Sequence, residues 1–328
     1  MKRLAAVLVA ALAVVTPPAA AQDKFTLQLN WFHLADHSPI YMALKKGYYK
    51  QENIDLTVLR GSGSADSAKK VDLKQAELGI SDAPTVLTAI SKGADLRMVA
   101  VVYDKAGNNA FFKKSANIRS PKDLIGKKIA VPPADSHRVL WPAFAAINKL
   151  DPGSVTLVNV KPEGKQAIVA GGDVDASFDL YTSYAIWEKV LGKGNVGHLL
   201  WADYGLPIYG HTYFVNRELE KKNPKLIERF LRATHKGWRD AQANPREAID
   251  AMAAAVPGLD ADALFNTTPQ IYDLCITERS RKHGIGWIER DLMQRTIDIT
   301  FAQNKPDRPV RVDDVFTNAY SSRIMPLK

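Results

Sequence analysis

The chain has 328 residues, 46% of them hydrophobic, and carries 44 lysines and arginines against 35 aspartates and glutamates, a formal net charge of +9. That length and apolar fraction support two domains with cores of their own and exclude a disordered chain or a small disulfide-stapled scaffold. The single cysteine, Cys275, excludes an intrachain disulfide and any paired-cysteine motif, and a buried, inert thiol is expected there.

Residues 1–21 read as an export signal. Lys2 and Arg3 precede an apolar run from Leu4 to Val15, and Ala19-Ala20-Ala21 offers a small-residue cleavage site before Gln22. The run is shorter than a membrane span. No cysteine stands beside the cleavage site, so a lipid anchor is not expected. Loss of Lys2 and Arg3 leaves 42 basic residues against 35 acidic, or +7. The basic residues are scattered in pairs such as Lys45-Lys46, Lys113-Lys114 and Lys221-Lys222. They read as solvated faces, and no nucleic-acid partner is expected.

The first strand is predicted over Phe25 to Leu29, followed by a polar turn and a helix at about 39–50. Ser38 suits the N-cap and Pro39 the first helical position, while Ile40, Ala43, Leu44, Gly47 and Tyr48 share one face. Strands at Ile54–Leu59, Glu77–Ile80 and Leu96–Tyr103 alternate with helices near 64–75 and 84–92. A second series has strands near Lys128–Val131, Val155–Val160, Ala176–Leu180 and His198–Ala202, with helices near 137–150, 164–170 and 182–191. Such alternation predicts α/β units with largely parallel sheets flanked by helices. Beyond Tyr204 a returning strand, Tyr209–Val215, leads into helices near 223–243, 245–255, 260–273 and 287–303; Asn223-Pro224 and Asn244-Pro245 look like helix starts.

Ligands of α/β proteins collect where strands end and helices begin, so the candidate chemistry is sought there. Trp31 closes the first strand, where its indole suits stacking on a flat ligand or packing in the core. His37 and Ser38 stand at the same helix start. His33 and His37 are four apart, but Pro39 starts the helix after them, so no metal site is expected. Gly61-Ser62-Gly63-Ser64 is a flexible loop whose hydroxyls, Ser62 and Ser64, suit a polar group; it lacks the endings of a P-loop or a dinucleotide fingerprint. Ser81 and Asp82 take the corresponding place after the next strand, with Asp82 equally suited to cap a helix. In the second series Asp135, Ser136 and His137 open a helix. Asp179, Tyr181 and Tyr184 cluster after another strand, where a carboxylate beside tyrosines suits a ligand that donates hydrogen bonds or caps the next helix. Tyr209 and His211 stand near the returning strand, as contacts or as packing.

Four segments in order carry a resemblance. They are Leu27-Gln-Leu-Asn-Trp31-Phe-His-Leu-Ala-Asp-His-Ser-Pro39 with its Gly47-Tyr-Tyr helix end, Ala76-Glu-Leu-Gly-Ile-Ser-Asp82, Ser120-Pro-Lys-Asp-Leu-Ile-Gly-Lys-Lys-Ile-Ala-Val-Pro132 and Gly171-Gly-Asp-Val-Asp-Ala176. With them the chain resembles solute-binding proteins of ABC importers, in the group that takes up thiamine pyrimidine precursors, taurine, alkanesulfonates and nitrate. The first segment is most similar to the pyrimidine-precursor branch. The resemblance implies a two-lobed periplasmic binding protein fold (type 2) with two interlobe crossings. Lobe one would take residues 22–116 and 205–328, and lobe two residues 117–204. It implies a periplasmic monomer that captures a small planar solute, docks on a membrane permease and needs no cofactor.

Two other readings stay open. The Gly-Ser loop and the helix starts would also suit a sulfonate or aromatic carboxylate. A buried carboxylate in the cleft would favour the pyrimidine, and a lysine or arginine without one would favour the anion. Pyrimidine-synthesising enzymes share the fold. The eukaryotic ones carry a cysteine-rich motif, whereas this chain has one cysteine and an export signal, so no catalysis is expected.

Overall fold

The computed structural model describes residues 21–303 and 305–321, and the expected export signal, Ala21 apart, lies outside them. Among the described residues ten strands form two five-stranded sheets. The first contains β1 (Asp23–Gln28), β2 (Ile54–Leu59), β3 (Leu78–Asp82), β4 (Leu96–Val101) and β10 (His211–Asn216), in the order β2-β1-β3-β10-β4. The second contains β5 (Asn108–Lys113), β6 (Lys128–Ala130), β7 (Thr156–Val158), β8 (Ala176–Leu180) and β9 (Val196–Leu200), in the order β7-β6-β8-β5-β9.

Each sheet is mixed. β10 runs antiparallel to β3 and β4, and β5 runs antiparallel to β8 and β9. These two strands are the ones the chain enters directly after changing lobes, through residues 102–107 on the way out and 201–210 on the way back. The first crossing therefore lies ahead of the 116/117 boundary expected from sequence. β5 was not anticipated because Asn108-Asn109 and Lys113 leave only Ala110-Phe111-Phe112 as an apolar run. Flanked on both sides and covered on both faces, the strand needs no polar alternation.

The separate cores follow from the sequence. In lobe one Phe25 stacks on Phe230 at 4.6 Å, joining β1 to the long helix Pro224–Ala243. In lobe two Phe144 stacks on Trp201 at 4.4 Å, with Trp141 and Phe178 beside them. Asn223 and Asn244 cap the helices that begin at Pro224 and Pro245, accepting from Leu226 N and Glu247 N. Two local expectations change. Ser38 is the first helical residue rather than the cap, because the single turn Ala35–His37 runs straight into the helix Ser38–Lys45. That helix stops where Gly47 adopts φ +71, a conformation that glycine takes without steric cost, before a short turn at Tyr48–Gln51.

Candidate ligand site between the lobes

The C-terminal ends of β1, β2 and β3 face those of β6 and β8 across the gap between the lobes. Asn30, Trp31, Gly63 and Ser64 from lobe one and Asp135, Ser136, Asp179 and Leu180 from lobe two line a common cavity. Leu34 joins Trp31 and Leu180 in an apolar cluster that spans the gap. Ala65 N donates to Ala134 O at 3.3 Å across the same seam. Two exposed ion pairs flank it, Arg60–Glu163 at 2.5 Å and Lys189–Asp260 at 2.6 Å. Being exposed, each contributes on the order of 0–1 kcal/mol to closure.

The lobe-two wall is built around a lysine that the sequence reading passed over. Lys165 opens the helix Lys165–Gly171, and its side chain is 1% exposed. Its ammonium lies 2.7 Å from Asp179 Oδ1, 3.3 Å from Phe178 O and 3.6 Å from Asp135 Oδ2. Across the gap it stands 4.3 Å from the centre of the Trp31 ring. Lys165 precedes Val169 by four residues and so shares its buried face, a signal legible in the sequence.

Hydrogen bonds fix the roles of its neighbours. Asp179 accepts from Leu180 N at 2.9 Å and Trp187 Nε1 at 3.0 Å in addition to Lys165. Its acceptors are thus engaged within lobe two, and it holds Lys165 rather than awaiting a ligand amine. His137 Nε2 accepts from Asn109 N at 3.2 Å, so the ring proton sits on Nδ1 and is donated to Asp135 Oδ1 at 2.5 Å. Burial pushes the Asp135 carboxyl up, but His137 and Lys165 outweigh it and hold the group below the usual carboxylate range.

A second buried polar chain runs through lobe one. Leu34 N donates to His37 Nδ1 at 3.2 Å, leaving Nε2–H to donate to Asn30 Oδ1 at 3.2 Å. Asn30 Nδ2 in turn donates to His211 Nε2 at 3.0 Å, and His211 Nδ1 faces Asp36 Oδ2 at 3.4 Å. One fixed backbone donor thereby sets both histidine tautomers and the orientation of the amide between them. Burial lowers the His37 pKa. Burial pushes the Asp36 carboxyl up, but His37, His211 and Tyr103 outweigh it and hold it below its usual range. Tyr103 stacks on His211 at 4.4 Å.

The candidates from sequence divide accordingly. Trp31, Ser64, Ser136 and Asp179 meet at the cavity, and His37 and His211 meet behind it through Asn30. His137 positions Asp135. The others go elsewhere. Ser38 lines a separate lobe-one cavity beside Trp238 and Tyr272. Ser62 is exposed and donates to Asp66, while Ser81 donates within lobe one to Ser64 O and Asp82 O. Asp82 caps its helix, accepting from Thr85 N at 3.0 Å. Tyr181 and Tyr184 flank His198, at 5.3 and 5.5 Å between ring centres, outside the cavity lining. The Tyr209 hydroxyl accepts from Glu289 N at 2.8 Å, bracing the second crossing. Asn30, Asp36, Tyr103 and Lys165 are the additions. Cys275 is buried, and burial raises its thiol pKa well above the ordinary value, which disfavours the thiolate.

A family model described as NMT1/THI5 like matches residues 34–248. The chain belongs to the NMT1/THI5-like family. The matched span contains Asp135, Lys165 and Asp179, whereas Asn30 and Trp31 lie just upstream of it. Among relatives of this family, the formylaminopyrimidine-binding protein of Halalkalibacterium halodurans is 21% identical over 300 residues, covering 91% of each chain. The 4-amino-5-hydroxymethyl-2-methylpyrimidine phosphate synthase of Legionella pneumophila is 25% identical over 244 residues, covering 73% of this chain and 75% of its own. The alkanesulfonate-binding protein SsuA of Xanthomonas axonopodis pv. citri, solved bound to MOPS, superposes with a TM-score of 0.72 at 16% identity. It covers 91% of this chain and 99% of its own, and the shared two-lobed periplasmic binding protein fold is what that likeness establishes.

Proposed function

We propose that this protein is the periplasmic solute-binding component of an ABC importer and that it captures a small planar N-heterocycle of the thiamine-pyrimidine-precursor type. The observation that carries the reading is the pairing of a flat indole, Trp31, on one lobe with Asp135, Asp179 and Lys165 on the other. A solute lodged there touches both lobes, so it stabilises the closed form over the open one by its differential affinity. The closed form then docks on a membrane permease.

The balance of charge bears on the ligand. Two buried carboxylates accompany the one lysine, which opposes a sulfonate or carboxylate ligand, and Asp135 Oδ2, the oxygen not bonded to His137, suits a ring that donates a hydrogen bond. Capture without covalent chemistry is supported by the relative named for formylaminopyrimidine binding, which aligns over 91% of both chains, and by the burial of Cys275, which raises its thiol pKa. The relative named as a synthase gives the competing reading.

The test is a thermal-shift screen of aminopyrimidines, alkanesulfonates and aromatic carboxylates, with isothermal titration of every hit. Aminopyrimidines should stabilise the protein and be recovered unchanged. Stabilisation by sulfonates or carboxylates alone would sink the ligand class. Formation of a pyrimidine product during incubation with candidate precursors would sink the capture-only reading.

A further inference from the structure

We propose that Lys165 and Asp135 read the edge of the solute, as a donor and an acceptor placed side by side that select a ring nitrogen next to an amino group. The inference rests on the reading of function above and names the feature of the ligand that the site recognises.

The donor is fixed. Lys165 is 1% exposed, and Asp179 and Phe178 O hold its ammonium from the lobe-two side. Its remaining approaches are toward Asp135 Oδ2 and toward Trp31. The ammonium lies 4.3 Å from the indole centre and therefore no more than that height above the ring. A flat ligand stacked on Trp31 would lie at about 3.5 Å, an ordinary contact distance. The ammonium thus stands over the ring in nearly the layer of such a ligand, and Phe32 stacks on the same indole at 5.1 Å, so a ligand on the Lys165 face must lie offset from the ring centre and meet the ammonium edge-on.

The acceptor stands beside it. Asp135 Oδ1 takes both bonds from His137, through the backbone N–H and through Nδ1. Asp135 Oδ2 has the longer 3.6 Å approach of Lys165, and the residue lines the interlobe cavity. One N–H donor and one carboxylate oxygen thus lie 3.6 Å apart, the donor standing over the Trp31 ring. The complementary edge is an acceptor next to a donor: a ring nitrogen taking the Lys165 proton, and the adjacent amino N–H given to Asp135 Oδ2. A carboxylate or sulfonate offers acceptors alone and would meet the Asp135 oxygen with like charge.

Titration calorimetry of wild type, Asp135→Asn and Lys165→Met against three matched probes tests this pair. The probes are 4-amino-2-methylpyrimidine, 2,4-dimethylpyrimidine (amino group replaced by methyl) and 3-methylaniline (ring nitrogens replaced by CH). In wild type each replacement should weaken binding roughly 10- to 100-fold, the scale of a hydrogen bond to a charged partner. In Asp135→Asn the amino-to-methyl penalty should shrink to about threefold or less, with the ring-nitrogen penalty kept. Lys165→Met should do the reverse. Because each variant is compared with itself across probes, a general loss of stability cancels, and the wild-type penalties stand even if a variant does not fold. Equal penalties in all three proteins, with the aminopyrimidine still bound, would overturn the edge reading and leave the proposed function standing. A wild-type protein that binds sulfonates or carboxylates and no aminopyrimidine would overturn both.

Discussion

The Lys165 ammonium stands 4.3 Å from the centre of the Trp31 ring, with lobe two supplying the cation and lobe one the aromatic face. Such a contact contributes about 0.5–2 kcal/mol, more when water is excluded. Here both partners are buried, and Leu34 and Leu180 surround the indole. The same two residues therefore help to hold the lobes together at the cavity where we propose a flat solute lies.

Trp31→Ala removes that platform. Aminopyrimidine affinity measured by titration calorimetry should fall about tenfold or more, since an aromatic pair adds on the order of 1 kcal/mol beyond its buried area. Trp31→Phe should retain part of the binding. Wild-type affinity in the alanine variant would place the solute elsewhere.

Asp179 answers to stability more than to ligand. Replacing it with alanine leaves the Lys165 ammonium buried without its 2.7 Å partner and strips Trp187 Nε1 of its acceptor. Breaking one side of such a buried pair costs about 3–5 kcal/mol. Urea denaturation of Asp179→Ala should show that loss, and the double variant Asp179→Leu with Lys165→Met should recover part of it by removing both charges. An unchanged midpoint in Asp179→Ala would mean the ion pair contributes nothing.

Most strands and helices were legible because their apolar periodicity matched their environment. β5 was not, since a central strand covered on both faces carries no alternation and its ends are polar. The site was only half legible. Position after a strand singled out Trp31, Ser64, Ser136 and Asp179, which share the interlobe cavity. The same rule also collected Asp82 and Ser62, whose side chains serve their own helix starts at Thr85 and Asp66. Lys165 escaped because a lysine in a helix usually faces water, and only its register with Val169 places it inside. Asn30 escaped because its importance lies in two histidines, one 7 and one 181 residues away in sequence.

Acid should weaken the fold through its buried histidines. His235 lies inside lobe one, where burial lowers its pKa from 6.5 to about 4. The unfolded chain takes up the proton first, so stability falls as pH drops from 6.5 toward 4 and this contribution levels off below that. At about 1.4 kcal/mol per pH unit, wild type should lose roughly 2 kcal/mol between pH 7 and pH 5 from this residue. His37 shifts in the same direction and adds to the slope. Urea denaturation at the two pH values should show a smaller loss in His235→Gln than in wild type. Equal losses would show that His235 is protonated in the fold at its ordinary pH.

Gly63 should govern closure. Its φ of +152 is one that residues with a Cβ rarely adopt, and a Cβ there would stand 2.5 Å from Ala134 O and 2.8 Å from Ala134 Cβ, backbone and side chain of the opposite lobe. Neither atom is the end of a flexible side chain, so Gly63→Ala must push the Gly-Ser loop away from lobe two and break the Ala65–Ala134 hydrogen bond. If that lowers the fraction of closed protein tenfold, apparent affinity falls about tenfold with it, because a solute binds only as tightly as its competent state is populated. Small-angle scattering with saturating solute should give Gly63→Ala a larger radius of gyration than wild type. Each lobe keeps its own core, so the unfolding midpoint without solute should change little. Superimposable scattering curves and equal affinities for the two proteins would show that the lobes close without this contact.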